Sequence, residues 1–139
     1  MYSLKTESHF DSAHFLANYD GKCGNIHGHR WKIEIEVVAE ELKNEGQEIG
    51  MVVDFGILKR DLKEIADDYD HTLIIEKGTM RKETLNCLIE DSFKIIELDF
   101  RPTAENFAKS FFDIMAKKGY NVKQVTVYET PVNCATYSK

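Results

Sequence analysis

Only two prolines occur in the chain, Pro102 and Pro131, and no stretch is biased in composition or repeated at a fixed period. That excludes an extended linker, a repeat array and a low-complexity segment. No apolar run approaches the roughly 18–20 residues that a membrane helix needs. The opening residues, Met1 to Glu7, are polar and charged and do not read as a signal peptide. Basic residues form no block and are outnumbered, 18 Lys and Arg against 24 Asp and Glu, for a net charge of −6. Nucleic acid and anionic membranes are therefore poor partners. Cysteine is sparse too. Cys23, Cys87 and Cys134 cannot all pair within one chain, and that number suits a cytoplasm that keeps thiols reduced. What is present is 139 residues, 42% of them apolar, enough for one domain spanning 1–139 to bury a core without disulfides.

The apolar pattern changes period along the chain. A first strand is expected over Tyr2 to Phe10, followed by a Gly-rich polar loop from Asn18 to Gly28. Trp31 to Val37 alternates apolar and polar, as a half-buried strand does. Gly46 and Gly50 bracket a turn region. Asp54 to Tyr69 predicts a helix, capped by Asp54, with a stripe of Phe55, Leu58, Leu62, Ile65, Ala66 and Tyr69. Phe93 to Leu98 is a short strand candidate. Thr103 to Lys118 predicts a second helix that Thr103 caps and Gly119 ends, with Phe107, Phe111, Ile114 and Met115 on its stripe. Val122 to Glu129 alternates again, and Cys134 to Tyr137 pairs back after the turn at Thr130 to Asn133. The order strand–strand–helix–helix–strand–strand predicts an α+β fold, an antiparallel sheet with its helices on one face.

Chemistry concentrates in the histidines. His27 and His29 are separated by Gly28 at the entry to a strand, so both imidazoles face the same side. His14 follows the first strand, where a hairpin brings it beside them. Three histidines would hold zinc with one position open, although His-x-His pairs also occur as solvated strand starts. Cys23 lies in a loop of small and polar residues rather than on an apolar stripe, which favours a functional thiol over the inert buried role common to free cysteines. Asp70-His71 places a carboxylate beside an imidazole, an arrangement that fixes a tautomer; a His closing a helix for dipole reasons looks the same in sequence. Glu129 shares the face of Val125 and Val127, so its carboxylate is carried inward. There it needs a partner, such as a ligand edge with two adjacent N–H groups, unless it only ends the strand.

Ser12-Ala13-His14, Cys23-Gly24-Asn25-Ile26-His27-Gly28-His29, Val53-Asp54-Phe55, Asp70-His71, Pro102-Thr103-Ala104-Glu105-Asn106 and Val127-Tyr128-Glu129-Thr130 together resemble the 6-pyruvoyltetrahydropterin synthase / 6-carboxytetrahydropterin synthase family. The resemblance runs in order through nearly the whole chain. It implies the tunnelling fold, a four-stranded antiparallel sheet with two helices, assembled as a homo-hexamer made of two trimers. It implies catalytic Zn2+ on His14, His27 and His29, with Cys23 abstracting a proton and Asp70 and His71 forming a relay. Glu129 would anchor the amino-pyrimidine edge of a pterin triphosphate substrate, and Thr103 and Glu105 match the segment that helps hold the ring. The three residues between Cys23 and His27 are similar to the bacterial carboxy-forming enzymes of the queuosine (7-deazaguanine) pathway. The implied reaction converts 7,8-dihydroneopterin triphosphate to 6-carboxytetrahydropterin, acetaldehyde and triphosphate. The pyruvoyl-forming reaction and a non-catalytic pterin- or zinc-binding module are the alternatives. A zinc hydrolase is disfavoured because no His-Glu-x-x-His is present. The stretch from Thr72 to Arg101 departs from the compact pattern and is expected as an added hairpin.

Overall fold

A computed structural model describes residues 1–139. Two long strands open the chain, β1 (Tyr2–His14) and β2 (His27–Ala39), followed by helix α1 (Phe55–Tyr69). Strand β3 (Thr72–Glu76), helix α2 (Lys82–Glu90) and strand β4 (Ile95–Leu98) come next. Helix α3 (Ala104–Lys117) and strands β5 (Val122–Tyr128) and β6 (Cys134–Ser138) complete the chain. All six strands form one sheet in the order β4-β3-β1-β2-β5-β6.

The expected antiparallel layout holds for β1, β2, β5 and β6, which neighbour one another in that order. The sheet is nevertheless mixed and six-stranded, with three α-helices rather than two. Residues 72–101 do not form a hairpin: β3 pairs parallel to both β1 and β4, and parallel strands require a crossover, here α2. Strand β4 falls within the expected Phe93 to Leu98, while β3 and α2 escape a periodicity reading for a physical reason. Ile74 and Ile75 are consecutive and both fully buried, so β3 is covered on two faces and shows no alternation. Helix α2 buries none of its residues, so no stripe marks it.

The β1–β2 ladder runs without interruption from Tyr2↔Ala39 to His14↔His27. Phe10, Ser12 and His14 on β1 and Trp31, Ile33 and Ile35 on β2 are buried, which identifies the face that α1 and α3 cover. Asp54 caps α1 by accepting from the Gly56 and Ile57 N–H groups, and Thr103 caps α3 by accepting from Asn106 N–H. Leu58, Leu62, Ile65 and Ala66 pack inward as the stripe predicts. Phe55 does not. It is 62% exposed and lines a surface groove with the loop residues Met51 to Val53. Phe107 stands at the centre, edge-on to Trp31 at 5.0 Å between centroids and stacked on Phe111 at 5.6 Å. Losing a ring buried this completely costs about 3–5 kcal/mol. Trp31 in turn backs directly onto the histidines.

Candidate active site

The strand register assembles the three histidines. His14 ends β1 opposite His27, and Ser12 faces His29 two residues further along the ladder. Alternation then sends His14, His27 and His29 through the same face. Their ring centroids lie 4.6 to 5.2 Å apart. His14 Nδ1 donates to the Pro102 carbonyl at 2.7 Å, and His27 Nδ1 donates to the Asn25 carbonyl at 2.7 Å. Those two bonds place the ring proton on Nδ1 and leave the Nε2 lone pair facing inward, the orienting device of metal-ligating histidines. The Nε2 atoms of all three histidines are buried without a hydrogen-bond partner. Burial holds the His14 imidazole below its ordinary range, against the opposing pull of the Pro102 carbonyl. Burial likewise lowers His29, with the Glu129 charge opposing. Both directions favour the neutral imidazole, the form that binds metal.

Glu129, just past β5, completes the cluster. One ligand atom from each of His14, His27, His29 and Glu129 lies within 4.8 Å of the others. Glu129 Oε1 is 3.0 Å from His29 Nε2, yet the two are not aligned as a hydrogen bond, since His29 Nε2 has no such partner. Three orphaned imidazole nitrogens and a carboxylate are the donor set that suits zinc. The residues present fit that ion.

Cys23 sits in a short 3-10 turn, Lys22–Gly24, half-buried, whereas Cys87 and Cys134 are exposed. The Cys23 carbonyl accepts from Leu16 N–H at 2.8 Å, which folds the loop back on itself. Gly24 makes that fold possible: a Cβ there would stand 2.9 Å from the Tyr19 carbonyl oxygen. The Cys23 sulfur lies outside the four-residue cluster. Gly28 is less constrained than its place between two histidines implies, because a Cβ there would meet only the Ser12 carbonyl at 3.7 Å. It lines a groove of about 510 Å3 with His29, Arg30, Lys32 and Glu129.

Asp70 and His71 form a pair of their own. His71 Nδ1 donates to Asp70 Oδ2 at 2.7 Å, and Asp70 Oδ1 accepts from Asp11 N–H at 2.8 Å. The Asp11 N–H, aided by His71 and opposed by burial, holds the Asp70 carboxyl below its usual range. His71 adopts a left-handed backbone (φ 56°), and its N–H donates to the Asp11 carbonyl at 2.7 Å. Such a conformation costs on the order of 1–3 kcal/mol in a residue with a side chain. The imidazole is 80% exposed and opens on a groove with Ala13, Ile26, Leu73 and Phe93. The groove beside His71 shares no lining residue with the one beside His29 and Glu129, and His71 lies outside the four-residue cluster, so this pair and the three histidines stand apart. Thr103 spends its hydroxyl on the α3 cap. Glu105 is exposed on the first turn of α3, and neither belongs to the cluster. The orienting carbonyls of Asn25 and Pro102 carry no sequence signal at all, since every residue has one.

An inward-facing imidazole claw at the rim of a sheet backed by helices defines a metal-site scaffold. A family model described as 6-pyruvoyl tetrahydropterin synthase matches residues 3–139, and the chain belongs to that family. The 6-carboxy-5,6,7,8-tetrahydropterin synthase of Haemophilus influenzae is 32% identical over 142 residues, covering 100% of both chains. The protein of the same name from Rickettsia felis is 34% identical, over 90% of this chain and 91% of its own. In fold, the chain is similar to the 6-pyruvoyl tetrahydropterin synthase of Plasmodium vivax, with a TM-score of 0.70 at 18% identity over 99% and 97% of the two chains. No helix is long and apolar enough to cross a membrane.

Proposed function

We propose that the protein is a zinc-dependent 6-carboxytetrahydropterin synthase, acting in the cytoplasm in queuosine (7-deazaguanine) biosynthesis. Its reaction converts 7,8-dihydroneopterin triphosphate to 6-carboxytetrahydropterin, acetaldehyde and triphosphate. The observation that carries this reading is the set of three buried, unpartnered Nε2 atoms in a chain whose full-length relative from Haemophilus influenzae bears that name.

His14, His27 and His29 would hold the ion, with Pro102 and Asn25 fixing two of the rings. Bound there, zinc supplies Lewis acidity toward the oxygens of the substrate side chain and acidifies the adjoining C–H bonds. The Glu129 carboxylate accepts two near-parallel N–H bonds from the amino-pyrimidine edge, which sets the ring's orientation. Cys23, as thiolate, takes a proton from the side-chain carbon. Asp70 holds the His71 N–H at Nδ1, leaving Nε2 free to accept and return that proton. Thr103 and Glu105 support the ring from the start of α3.

Asp70 and His71 open on a groove that shares no residue with the one beside His29 and Glu129, so a single chain does not present both halves to one substrate. A second copy supplies the relay, which is the reason for the trimers and the hexamer. The bare edge of β6 is available for such pairing.

Mass spectrometry of the products from 7,8-dihydroneopterin triphosphate tests this reading. Release of 6-carboxytetrahydropterin with acetaldehyde is expected. A 6-pyruvoyl product would assign the sister reaction after which the family model is described, and unchanged substrate would leave only a pterin- or zinc-binding module.

A further inference from the structure

We propose that Glu129 is a displaceable fourth ligand of the metal site, closing it at rest and releasing it when a pterin claims the carboxylate. The proposal rests on the reading of Glu129 as the acceptor for the amino-pyrimidine edge, and it adds that the same carboxylate has a second, competing partner.

The geometry around His29 is the starting point. Glu129 Oε1 and His29 Nε2 are 3.0 Å apart without the alignment of a hydrogen bond. Two ligands of one tetrahedral ion stand in just that relation: with bonds of about 2.0–2.2 Å they are about 3.3 Å apart, and each points at the ion rather than at the other. The remaining two nitrogens, on His14 and His27, lie within 4.8 Å of both. An oxygen so close to three unpartnered nitrogens reads as a member of their set.

The backbone holds Glu129 in that place without locking its side chain. Its N–H donates to the Asn133 carbonyl at 3.0 Å, and Thr130 Oγ1 accepts from Asn133 N–H at 3.0 Å, so the tight turn fixes the strand end. The carboxylate itself accepts no hydrogen bond from the protein, is about a third exposed, and also lines the groove beside Gly28 and Arg30. Rotation about its side-chain bonds therefore exchanges one partner for another with no backbone movement. A carboxylate that takes two parallel N–H bonds from a pterin edge gives up the ion, and the position it leaves is the one a substrate oxygen needs. Metal and pterin are thereby linked through one residue, and linkage acts in both directions.

The test uses the full chain, stripped of metal and reloaded with Co2+. Affinity is followed by the emission of Trp31, the only tryptophan, whose ring lies 5.0 Å from His14 and 5.4 Å from His29. Coordination is followed by the visible Co2+ absorption. Glu129→Gln and Glu129→Asp are each expected to weaken Co2+ binding by about 10–100-fold. The Asp variant keeps the charge but shortens the reach, so it separates ligation from distant attraction. Unsubstituted 2-amino-4-oxopteridine should shift the wild-type Co2+ spectrum and leave that of Glu129→Gln unmoved. Wild-type Co2+ affinity and spectrum in Glu129→Gln overturn the proposal; loss of pteridine binding in that same variant would show that the edge-acceptor reading survives alone. A wild-type spectrum unchanged at saturating pteridine overturns the exchange. Equal pteridine affinity in wild type and Glu129→Gln overturns the edge-acceptor reading and the exchange with it.

Discussion

The two histidine-bearing regions of this molecule are built in opposite ways. His14, His27 and His29 are set by an unbroken strand register, two of them tied to backbone carbonyls, with all three Nε2 atoms buried. His71 is tied to a carboxylate, sits on a strained left-handed backbone and leaves its ring in solvent. The first arrangement is finished inside one chain. The second holds a tautomer ready on an exposed surface, outside the four-residue cluster. Preorganisation by burial suits a group that grips an ion, and exposure suits one offered to a neighbour.

The sharpest way to break this comparison is to remove rings from each region. His14→Ala, His27→Ala and His29→Ala should each strip nearly all zinc, whereas His71→Ala and the surface variant His9→Ala should keep it. Metal analysis of the purified variants decides this. Retention of full zinc by His14→Ala would take that residue out of the claw.

Next in size are the proton-moving groups. Cys23→Ala should keep zinc and lose turnover by about 10²–10⁴-fold, the usual contribution of a positioned acid or base. Cys87→Ala and Cys134→Ala, altered at exposed thiols, should turn over almost normally. Asp70→Asn should fall in the same range as Cys23→Ala, because an amide cannot enforce the His71 tautomer, and its zinc content should not change. Loss of zinc from Asp70→Asn would mean that the two regions are structurally one.

The smallest effect is a control that touches neither region. The Tyr120 hydroxyl donates to Asp61 Oδ2 at 2.6 Å. That bond, with burial opposing, holds the Asp61 carboxyl below its usual range, while burial and Asp61 push the Tyr120 phenol up to about 12. The lowered carboxyl adds stability at neutral pH that disappears as pH falls through its folded value. The raised phenol adds stability below its ordinary value near 10, lost as pH climbs toward about 12. Tyr120→Phe should lower stability by about 1–3 kcal/mol near neutrality and flatten both flanks of the denaturation profile, with zinc content untouched. An unchanged profile would show that the pair is solvated.

What was legible in the sequence follows the same division. Alternation in Trp31 to Val37 and the stripes of α1 and α3 were readable because each of these elements buries one face. The His-x-His spacing was readable because strand geometry converts it directly into a shared face, and the inward turn of Glu129 followed from Val125 and Val127. Strand β4 lies within the expected Phe93 to Leu98, but strand β3 and helix α2 were not readable. Ile74 and Ile75 are buried on both faces, and α2 buries nothing, so the one-sided pattern that marks an element is missing. The polar Asp11 and Ser12 make the first strand look shorter than it is, yet Ser12 is buried against the Tyr69 carbonyl and Thr72, and β1 runs on to His14. The separation of Asp70-His71 from the claw was invisible, since residue spacing carries no information about which groove a loop serves.

In the proposed oligomer one catalytic site draws Cys23 from one copy and His71 from another. Co-expression of Cys23→Ala with His71→Ala, each inactive alone, tests it most directly. Random assembly gives a site with both groups intact whenever a His71→Ala chain lies beside a Cys23→Ala chain in the right order. The mixed oligomer should therefore recover about one quarter of wild-type turnover. Turnover no higher than that of either parent, in oligomers shown to contain both chains, would contradict it.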